Sequence, residues 1–491
     1  MPDELAVRTE HRLNPDSRRV IAKLFVPGEE TTRGRSRASA VVARILALDE
    51  SEVTTLARAV ETDFGARHRN FAATLADHFS FVARDIPDWD RLGPDRRTLI
   101  GACFTHEYSA EGAALCNPSM VAHPDQSNLD EGQLRFVMTV RCIGEGHISS
   151  IGFRTGILGP GTALTLDEPG PFLIAGTSQP GPYSQPVFHR RLTDLGFDPE
   201  DGQLLLGGLP DTFTMTELTD AIGHVHEHTL NRERVQRAIE HVYRVASSGY
   251  QVDFPPETQL AERLLWPAAQ AESHGMEDAR LVRVDEDGAP VYHATYTAFD
   301  GIAIGIQLLT TTDFLHFRVS PLAGPGAQNK GLALFPRRIG GRYLALSRWD
   351  RENILLVHSH DGRVWEESGV LHPPQQRWEL IQVGNGGSPI ETSQGWLVIT
   401  HGVGPMRTYA LGAILLDLHD PATVLATLDG PLLTPDASER DGYVPNVVYT
   451  CGALRHGDLL TIPYGISDGS IGFAQVSLPD LLGRMLGGDR T

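Results

Sequence analysis

Five stretches of the chain repeat one pattern of apolar and polar positions: an apolar strand, a polar residue at its end, a short turn and a second apolar strand. These stretches are Arg135–Gly156, Pro290–Leu309, Arg342–Ser359, Gly395–Leu416 and Leu459–Val476. The polar residues at the strand ends are Arg141, Tyr296, Arg348, His401 and Tyr464. From Tyr296 onward their spacing is about fifty to sixty residues, a period that is typical of a β-propeller with several strands per unit.

Equivalent positions in the blades of a propeller converge on one axis. The five strand-end residues are therefore predicted to form a polar ring around a central pocket. Arginine, histidine and tyrosine side chains in such a ring suit an anionic or hydroxyl-rich ligand.

Length and charge narrow the classes of protein that fit. The chain has 491 residues and a net charge of −20, so we expect two or three domains and no nucleic-acid or membrane partner. Its four cysteines show no CxxC spacing, which argues against disulfides and a zinc site, and no metal is expected. The N-terminus has no apolar core of signal-peptide length, and no apolar run approaches a membrane span. We therefore predict a cytoplasmic protein.

The apolar spacing divides the chain into three parts. Residues 1–95 are predicted to be an irregular N-terminal arm followed by helices from Ala38 to about Arg84. Blade-type strands are expected to begin near Leu99, so that residues 96–480 form a five-bladed propeller domain and 481–491 a C-terminal tail. A Gly/Pro-rich insertion at about 156–255 is predicted to contain two helices. Thr214 with Glu217 is predicted to cap the first, Asn231 to begin the second and Gly249 to end it.

The string HGMEDARLV (His274–Val282) places an acidic pair and an arginine at the start of an apolar strand. In an extended strand Glu277 and Asp278 point to opposite faces, so one faces the pocket while the other pairs outward, with Arg280 as a partner. A buried carboxyl with a raised pKa suits a general acid, which is the functional interpretation of Asp278. The alternative is a turn acid beside a surface ion pair.

Several cationic and polar residues lie at the ends of the later strands. Lys330 opens one strand and Arg348 closes the next, so paired strands bring both cations to one end of a sheet, where they suit phosphate or carboxylate. The GNGGSP turn before His401 is either a ligand loop or a tight corner. Tyr409, Asp441, Asn446 and Asp468 are further polar groups beside apolar strands.

Taken together, these strings resemble glycoside hydrolase family 130, the inverting β-mannoside phosphorylases and β-mannosidases. The resemblance is carried by GMEDAR, NKGLALFPRRIGGRYLALSR, GSPIET with WLVITHGVG, YALGAILLDLHDP, GYVPNVVYTCG and YGISDGSIGFA, in the family's order from about Pro255 to Val476. NPSMV (Asn117–Val121) and the Arg141–Ser150 stretch extend it backwards. The resemblance implies a five-bladed β-propeller that cleaves β-mannosides or manno-oligosaccharides with inversion.

The resemblance also implies roles for individual residues. Asp278 matches the catalytic acid, which in the family is thought to protonate the glycosidic oxygen through a hydroxyl of the mannosyl ring. Asn117, Arg141 and Asp468 match sugar-contacting positions of the family, and we assign Ser149, Glu277, Asp441 and Asn446 to substrate binding beside them. The residues assigned to phosphate, a co-substrate rather than a cofactor, are Lys330, Arg348, His401, Tyr409 and Gln382.

The chain departs from the family at two places. Gln382 stands where the phosphorylases often have lysine, and an uncharged amide weakens the case for phosphate. The N-terminal helices and the insertion at about 156–255 are absent from shorter members. Two uses are open for these segments: covering the pocket or building a homo-oligomer interface.

Three functions follow from this sequence. A phosphorylase needs one acid and cations for the phosphate dianion. An inverting hydrolase needs a second carboxylate about 6.5–9.5 Å from the first to activate water; Glu391 and Asp468 are the candidates. A non-catalytic sugar-binding propeller needs no acid. The retained cations favour phosphorolysis, which yields mannose 1-phosphate.

Overall fold

The computed structural model describes residues 5–28, 36–198, 202, 206–228, 232–286 and 288–487. Contacts divide the chain into two compact units. The smaller comprises Asp16–Gly112 and Gly170–Ala175; the larger comprises Met1–Pro15, Ala113–Pro169 and Gly176–Thr491. Among the described residues, no helix is long and apolar enough to cross a membrane.

Strands dominate the secondary structure. The helices are α1 Arg37–Leu46, α2 Glu50–Phe64, α3 Phe71–Ala83, α4 Pro94–Cys103, α5 Gln185–Asp194, α6 Met215–His228, α7 Arg232–Ser247 and α8 Leu478–Leu486. The first strands are β1 Ala6–Leu13, β2 Val20–Leu24, β3 Thr105–Ser109, β4 Ala114–Ala122, β5 Leu134–Ile143, β6 Ser149–Leu158 and β7 Leu164–Leu166. The short strands that follow are β8 Ile174–Ala175, β9 Thr177–Pro180, β10 Tyr183–Ser184, β11 Thr212–Phe213, β12 Tyr250–Asp253 and β13 Arg263–Leu265.

The second half of the chain is almost entirely β. Its strands are β14 Gly275–Glu286, β15 Ala289–Phe299, β16 Ile304–Thr311, β17 His316–Pro321, β18 Lys330–Leu334, β19 Tyr343–Arg348, β20 Ile354–Ser359, β21 Glu366–His372 and β22 Gln382–Asn385. They continue with β23 Ile390–Thr392, β24 Gly395–Val403, β25 Tyr409–Leu416, β26 Val424–Thr427, β27 Val448–Tyr449, β28 Leu454–His456, β29 Leu459–Ile466 and β30 Ser470–Ser477. The prediction of a mainly β protein is confirmed.

The smaller unit is mostly helical. Helices α1 to α4 share an apolar core that includes Ile45, Phe79 and Ile100, and β2 pairs antiparallel with β3. The helices predicted from Ala38 to about Arg84 are therefore confirmed. The strands expected near Leu99 begin only at Thr105, because Pro94 at the first turn and the apolar face behind it form a helix instead. The predicted irregular arm was also wrong in part, since it contains β1 and β2.

The larger unit contains five antiparallel meanders of four strands each. The first is β4–β5–β6–β7, the second β14–β15–β16–β17, the third β18–β19–β20–β21 and the fourth β22–β24–β25–β26. The fifth, β27–β29–β30–β1, takes its last strand from the N-terminus. The apolar and polar repeat of the sequence thus marks the middle strands of every meander.

Each meander buries its apolar face against the next. Separate cores lie between the first and second, the second and third, the third and fourth, and the fourth and fifth meanders. The fifth returns to the first: the amide of Leu115 donates to Gly469, and Ser119 bridges Gly452. The first strands of the meanders are therefore held close to one another.

The insertion forms a helical element inside the larger unit. Helices α5, α6 and α7 pack around Phe188, Phe213, Leu218 and Val242. The capping box at the start of α6 is confirmed, because the amide of Glu217 donates to the Thr214 hydroxyl at 3.3 Å while the Glu217 carboxylate accepts from the Thr214 amide at 2.8 Å. Asn231, predicted to begin the next helix, lies outside the described residues. Helix α7 ends at Ser247, two residues before the predicted Gly249.

Candidate active site

Three of the meanders begin with a bulged strand, and the bulges set the geometry of the site. The register of β4 shifts between Cys116 and Ser119, that of β14 between Glu277 and Arg280, and that of β18 between Lys330 and Ala333. Each bulge contains a left-handed residue: Asn117 at φ 49°, Asp278 at φ 57° and Gly331 at φ 91°. A bulge interrupts the alternation of a strand, so that neighbouring side chains can reach the same space.

The two carboxylates of β14 both approach Arg141. Its guanidinium lies 2.8 Å from Glu277 Oε1 and 3.5 Å from Asp278 Oδ1. The prediction that they point to opposite faces was wrong, because Asp278 occupies the bulge. Asn117 Nδ2 donates to Asp278 Oδ1 at 2.5 Å, and Lys330 Nζ donates to Glu277 Oε2 at 2.6 Å. Four segments of the chain thus meet around two buried acids.

The sequence suggested that Arg280 pairs outward with an acid. In the structure Arg280 faces inward instead. It donates to the backbone carbonyls of Asp278 at 2.9 Å and Gly386 at 2.8 Å, and to the Tyr449 hydroxyl at 2.7 Å. Arg280 therefore ties the bulge of β14 to the GNGGSP loop and to the fifth meander. Sequence reasoning missed Tyr449; its only signal was a tyrosine inside the apolar string NVVYTCG.

Lys330 and Arg348 are direct partners in the β18–β19 register, which confirms that the paired strands bring both cations to one end of a sheet. Arg348 NH1 donates to His401 Nε2 at 2.9 Å. The Gln382 amide, oriented so that its oxygen faces Arg348, accepts from that guanidinium at 2.8 Å. His401 stacks on Tyr409 with ring centroids 6.0 Å apart. The predicted phosphate residues are therefore contiguous.

Charge at the site is unevenly distributed. Burial raises the pKa of Asp278, but the guanidinium groups of Arg141 and Arg280 outweigh it, so the pKa lies below its usual range. Burial lowers the pKa of His401 well below its usual range, and Arg348 and Arg280 lower it further. The site at neutral pH therefore combines an ionised Asp278 with a neutral imidazole.

Asp468 is a third acid, coupled electrostatically to Asp278 and Glu277. It lies in the turn between β29 and β30 at φ 49°. Burial raises its pKa to about 6 despite the opposing charge of Arg141, and the negative charge of Asp278 adds to the rise. Glu391, the other candidate for a general base, pairs with Arg337 at 2.7 Å on the surface and makes no contact with these residues. Of the two candidates, only Asp468 is electrostatically coupled to Asp278.

The other residues predicted to bind substrate are Ser149, Asn446 and Asp441, and they differ in burial. Ser149 is buried and pairs with Gly275, two residues before Glu277. The Asn446 carbonyl accepts from the Tyr409 amide at 3.0 Å, whereas Asp441 is exposed.

Two members of the predicted polar ring do not face the site. Tyr296 bonds to the buried carboxylate of Glu272, and Tyr464 donates to that of Glu439 at 2.6 Å. Both rings pack in cores between meanders. A tyrosine at a strand end can bury its ring and still satisfy its hydroxyl, which the strand pattern does not distinguish.

Several buried polar atoms at the site have no hydrogen-bond partner among the described residues. They are Asn117 Oδ1, Arg141 Nε, Ser149 Oγ, Arg348 Nε and Asn385 Oδ1. Buried polar atoms are almost always satisfied in folded proteins. Their concentration here, both donors and acceptors, indicates a site built for a polar ligand.

A carboxylic acid surrounded by amides and cations, on a mainly β scaffold of repeated meanders, defines a carbohydrate-active class of enzyme. Residues 244–485 match the family model described as beta-1,4-mannooligosaccharide phosphorylase, which is the model of glycoside hydrolase family 130. The chain is 35% identical over 217 residues to the 1,2-beta-oligomannan phosphorylase of Thermoanaerobacter sp. (strain X514), covering 43% of this chain and 71% of that protein.

A second relative is the beta-1,2-mannobiose phosphorylase of Listeria innocua, 32% identical over 227 residues, which covers 44% of this chain and 62% of that protein. The solved structure of the Listeria innocua beta-1,2-mannobiose phosphorylase with beta-1,2-mannobiose aligns with a TM-score of 0.45 at 21% identity, covering 77% of this chain and 93% of that one. The chain belongs to glycoside hydrolase family 130, as the sequence predicted, and it is an enzyme.

Proposed function

We propose that this enzyme cleaves β-mannosides by phosphorolysis with inversion, releasing mannose 1-phosphate. Two observations carry the proposal: the buried acid Asp278 interacts electrostatically with Lys330 and His401, and Lys330, Arg348, His401 and Gln382 form a contiguous group. The two relatives described above are named as mannoside phosphorylases, which supports the proposal. Inorganic phosphate is the co-substrate, and no cofactor is needed.

In this reaction a phosphate oxygen attacks the anomeric carbon on the face opposite the leaving oxygen. The new C–O bond to phosphate forms as the glycosidic bond breaks, and the leaving oxygen takes a proton that originates from Asp278. Because phosphate carries its own negative charge, no second carboxylate is required. The cations bind the dianion and offset its repulsion from the acid.

The charges of the protein groups around Asp278 support this reaction. Arg141, Arg280 and Lys330 keep Asp278 ionised, and an ionised carboxylate cannot protonate a leaving group. A phosphate dianion bound by Lys330 and Arg348 brings negative charge close to Asp278, which raises its pKa. Phosphate binding is therefore proposed to prepare the acid as well as to supply the nucleophile.

Sugar binding is proposed for the polar groups on the other side of Asp278. Asn117, Arg141 and Ser149 provide amide, guanidinium and hydroxyl groups with unsatisfied atoms, and Glu277 and Asp468 provide acceptors. Asn117, Arg141 and Ser149 lie before the matched range, so their assignment rests on contacts with β14. Asn446 and Asp441 are proposed to contact more distant parts of the substrate.

The five meanders are proposed to be the blades of a five-bladed propeller. Each packs on the next, the fifth returns to the first, and β1 completes the fifth meander from the N-terminal end of the chain. Radial repetition of this kind leaves only short, protected sheet edges.

A hydrolytic reaction is the second candidate, favoured by two observations. Gln382 brings no charge to the phosphate side, and Asp468, with its pKa of about 6, is largely ionised at neutral pH and is suited to a general base. A non-catalytic sugar-binding protein is disfavoured because Asp278 is present.

One assay separates these functions. The protein is incubated with β-1,2- and β-1,4-mannobiose with and without inorganic phosphate, and mannose 1-phosphate and free mannose are quantified. Mannose 1-phosphate that forms only with phosphate supports phosphorolysis. Free mannose formed at the same rate with or without phosphate supports hydrolysis, and saturable binding without turnover supports a sugar-binding protein.

A further inference from the structure

A cavity lies between the second and third meanders, away from Asp278. Its volume is about 680 Å³, and strands β14 to β19 contribute to its walls. Asp278 lies at one end of β14 and Asp285, which lines the cavity, near the other. Seven residues of strand span roughly 20 Å. We call this cavity the arginine cleft, because Arg318, Arg337, Arg338 and Arg363 line it.

Three of the four arginines have no carboxylate partner within the described part of the chain. Arg337 pairs with Glu391. Arg318 donates to the carbonyl of Pro182 at 3.1 Å, and Arg338 lies 4.2 Å from the centre of the Tyr343 ring. No ion pair involves Arg363 in the described structure.

The two acids known to line the arginine cleft, Asp285 and Asp361, form no ion pair with Arg318, Arg338 or Arg363 in the described part of the chain. Asp285 pairs with Arg283 at 3.1 Å, and Asp361 accepts from the Ser359 hydroxyl and from the Arg363 and Val364 amides at 2.8 to 2.9 Å. Burial lowers the pKa of Arg318, and the like charge of Arg363 lowers it further. Like charges held together without a counter-ion indicate a place where an anion is bound.

A buried hydrogen-bond donor also indicates a binding site in the arginine cleft. Trp365 lines the arginine cleft and is fully buried, and its Nε1 has no hydrogen-bond partner among the described residues. An indole nitrogen and a guanidinium only donate. A partner for these groups must therefore offer acceptor atoms, and the charge of the guanidinium groups favours an anion. Apolar side chains complete the lining: Val284, Val291, Leu308, Leu334, Phe335 and Leu344.

We propose that the arginine cleft is a second, non-catalytic binding site for a small phosphate-bearing molecule. A phosphate group offers several acceptor oxygens to forked guanidinium donors. The volume lies within the range of small-molecule sites and leaves room for a sugar ring against the apolar lining. Phosphate recognition is the shared chemistry of two sources, free inorganic phosphate and a sugar phosphate.

The test measures binding of inorganic phosphate and of mannose 1-phosphate to the full chain by calorimetry. All proteins carry R348Q, which weakens binding at the candidate active site equally in every variant, so that differences between variants come from the cleft. R318Q/R363Q is compared with R58Q/R342Q, which removes two exposed arginines outside the cleft and makes the same change in net charge. We expect R318Q/R363Q to lower the affinity at least about tenfold. R58Q/R342Q is expected to lower it less than about twofold.

The two ligands identify the source. Tighter binding of mannose 1-phosphate shows that the sugar ring contributes, whereas equal binding shows that the phosphate group alone is recognised. Either result supports the proposal, provided that neutral mannose does not compete. If neither anion binds the R348Q protein at millimolar concentration, or if R318Q/R363Q binds as tightly as its control, the proposal is wrong. R363Q alone replaces the double variant if the latter does not fold.

The proposal is independent of the reaction. In the absence of R348Q, R318Q/R363Q is expected to keep the turnover of the native chain at low product concentration. Failure of phosphorolysis in the mannobiose assay leaves the cleft measurement unchanged, since that measurement uses binding alone.

Discussion

Asn117 and Asp278 are 161 positions apart, yet their side chains share a hydrogen bond of 2.5 Å. Both occupy left-handed backbone conformations at the bulge of the first strand of their meander. Asparagine and aspartate are the side chains that tolerate this conformation best after glycine. The same backbone feature that aims the acid therefore also aims its amide partner.

Replacement of the acid by its isosteric amide is the most direct test. Asp278→Asn is expected to lower turnover by about 10²- to 10⁴-fold, the usual contribution of a general acid. Asparagine tolerates the left-handed conformation, so the thermal unfolding midpoint should change little. The measurement is the rate of mannose 1-phosphate release.

The matched control is Asp285→Asn, on the same strand but at its far end and in an ion pair with Arg283. It is expected to retain at least half of the native turnover. An Asp278→Asn protein with native turnover would refute the assignment of the acid.

Arg348→Ala tests the phosphate side. Loss of a charged donor is expected to raise the phosphate KM by about ten- to a hundredfold, corresponding to roughly 1.5–3 kcal/mol. Initial rates over a range of phosphate concentrations give this value. Arg342→Ala, which changes an exposed arginine one residue before the same strand, should leave the phosphate KM unchanged. An unaltered phosphate dependence in Arg348→Ala would contradict its role.

The repeat in the sequence was enough to predict the middle strands of every meander. The cations on β18 and β19 followed from strand pairing, since Lys330 and Arg348 are register partners. The directions of Glu277 and Asp278 on β14 could not be predicted from the sequence. A bulge depends on tertiary contacts, which the two-residue alternation of a strand does not reveal.

The same limit applies to buried tyrosines. Tyr296 and Tyr464 have the sequence context of site residues, but their hydroxyls bond to Glu272 and Glu439 inside the cores. Tyr449 has the context of a core residue, but it accepts from Arg280 beside the acid. Which of these hydroxyls reaches the site depends on partners far away in the sequence.

Gln382→Lys tests the departure from the phosphorylase pattern. The native amide already lies within hydrogen-bond distance of Arg348. A lysine there adds a positive charge, which is expected to lower the phosphate KM several-fold while leaving the mannoside KM unchanged. Gln382→Glu is expected to have the opposite effect. If neither substitution changes the phosphate KM, Gln382 does not contact phosphate.

Asp468 makes stability depend on pH. Its pKa is raised to about 6 in the folded protein from an ordinary value of 3.8, so the folded state favours the protonated form. As pH rises from 3.8 through 6, the folded protein loses stability, by at most about 3 kcal/mol. Asp468→Asn removes this cost, so its stability relative to the native chain should increase between pH 4 and pH 7.5.

Urea unfolding at the two pH values measures this difference. Asp429→Asn, at an exposed surface position, is the control and is expected to change the free energy of unfolding by less than about 0.5 kcal/mol at either pH. A difference for Asp468→Asn that does not depend on pH would show that its carboxyl titrates at its ordinary value.

Tyr449→Phe separates a positioning role from a purely structural one. Loss of the hydroxyl leaves a buried donor of Arg280 without its acceptor, which is expected to cost about 1–3 kcal/mol of stability. Because Arg280 also binds the carbonyl of Asp278, turnover should fall more than substrate affinity. Tyr464→Phe is the matched control, since it breaks a comparable buried bond to Glu439 away from the site. Both variants should be destabilised, but only Tyr449→Phe should lose turnover; equal turnover in the two would assign Tyr449 to stability alone.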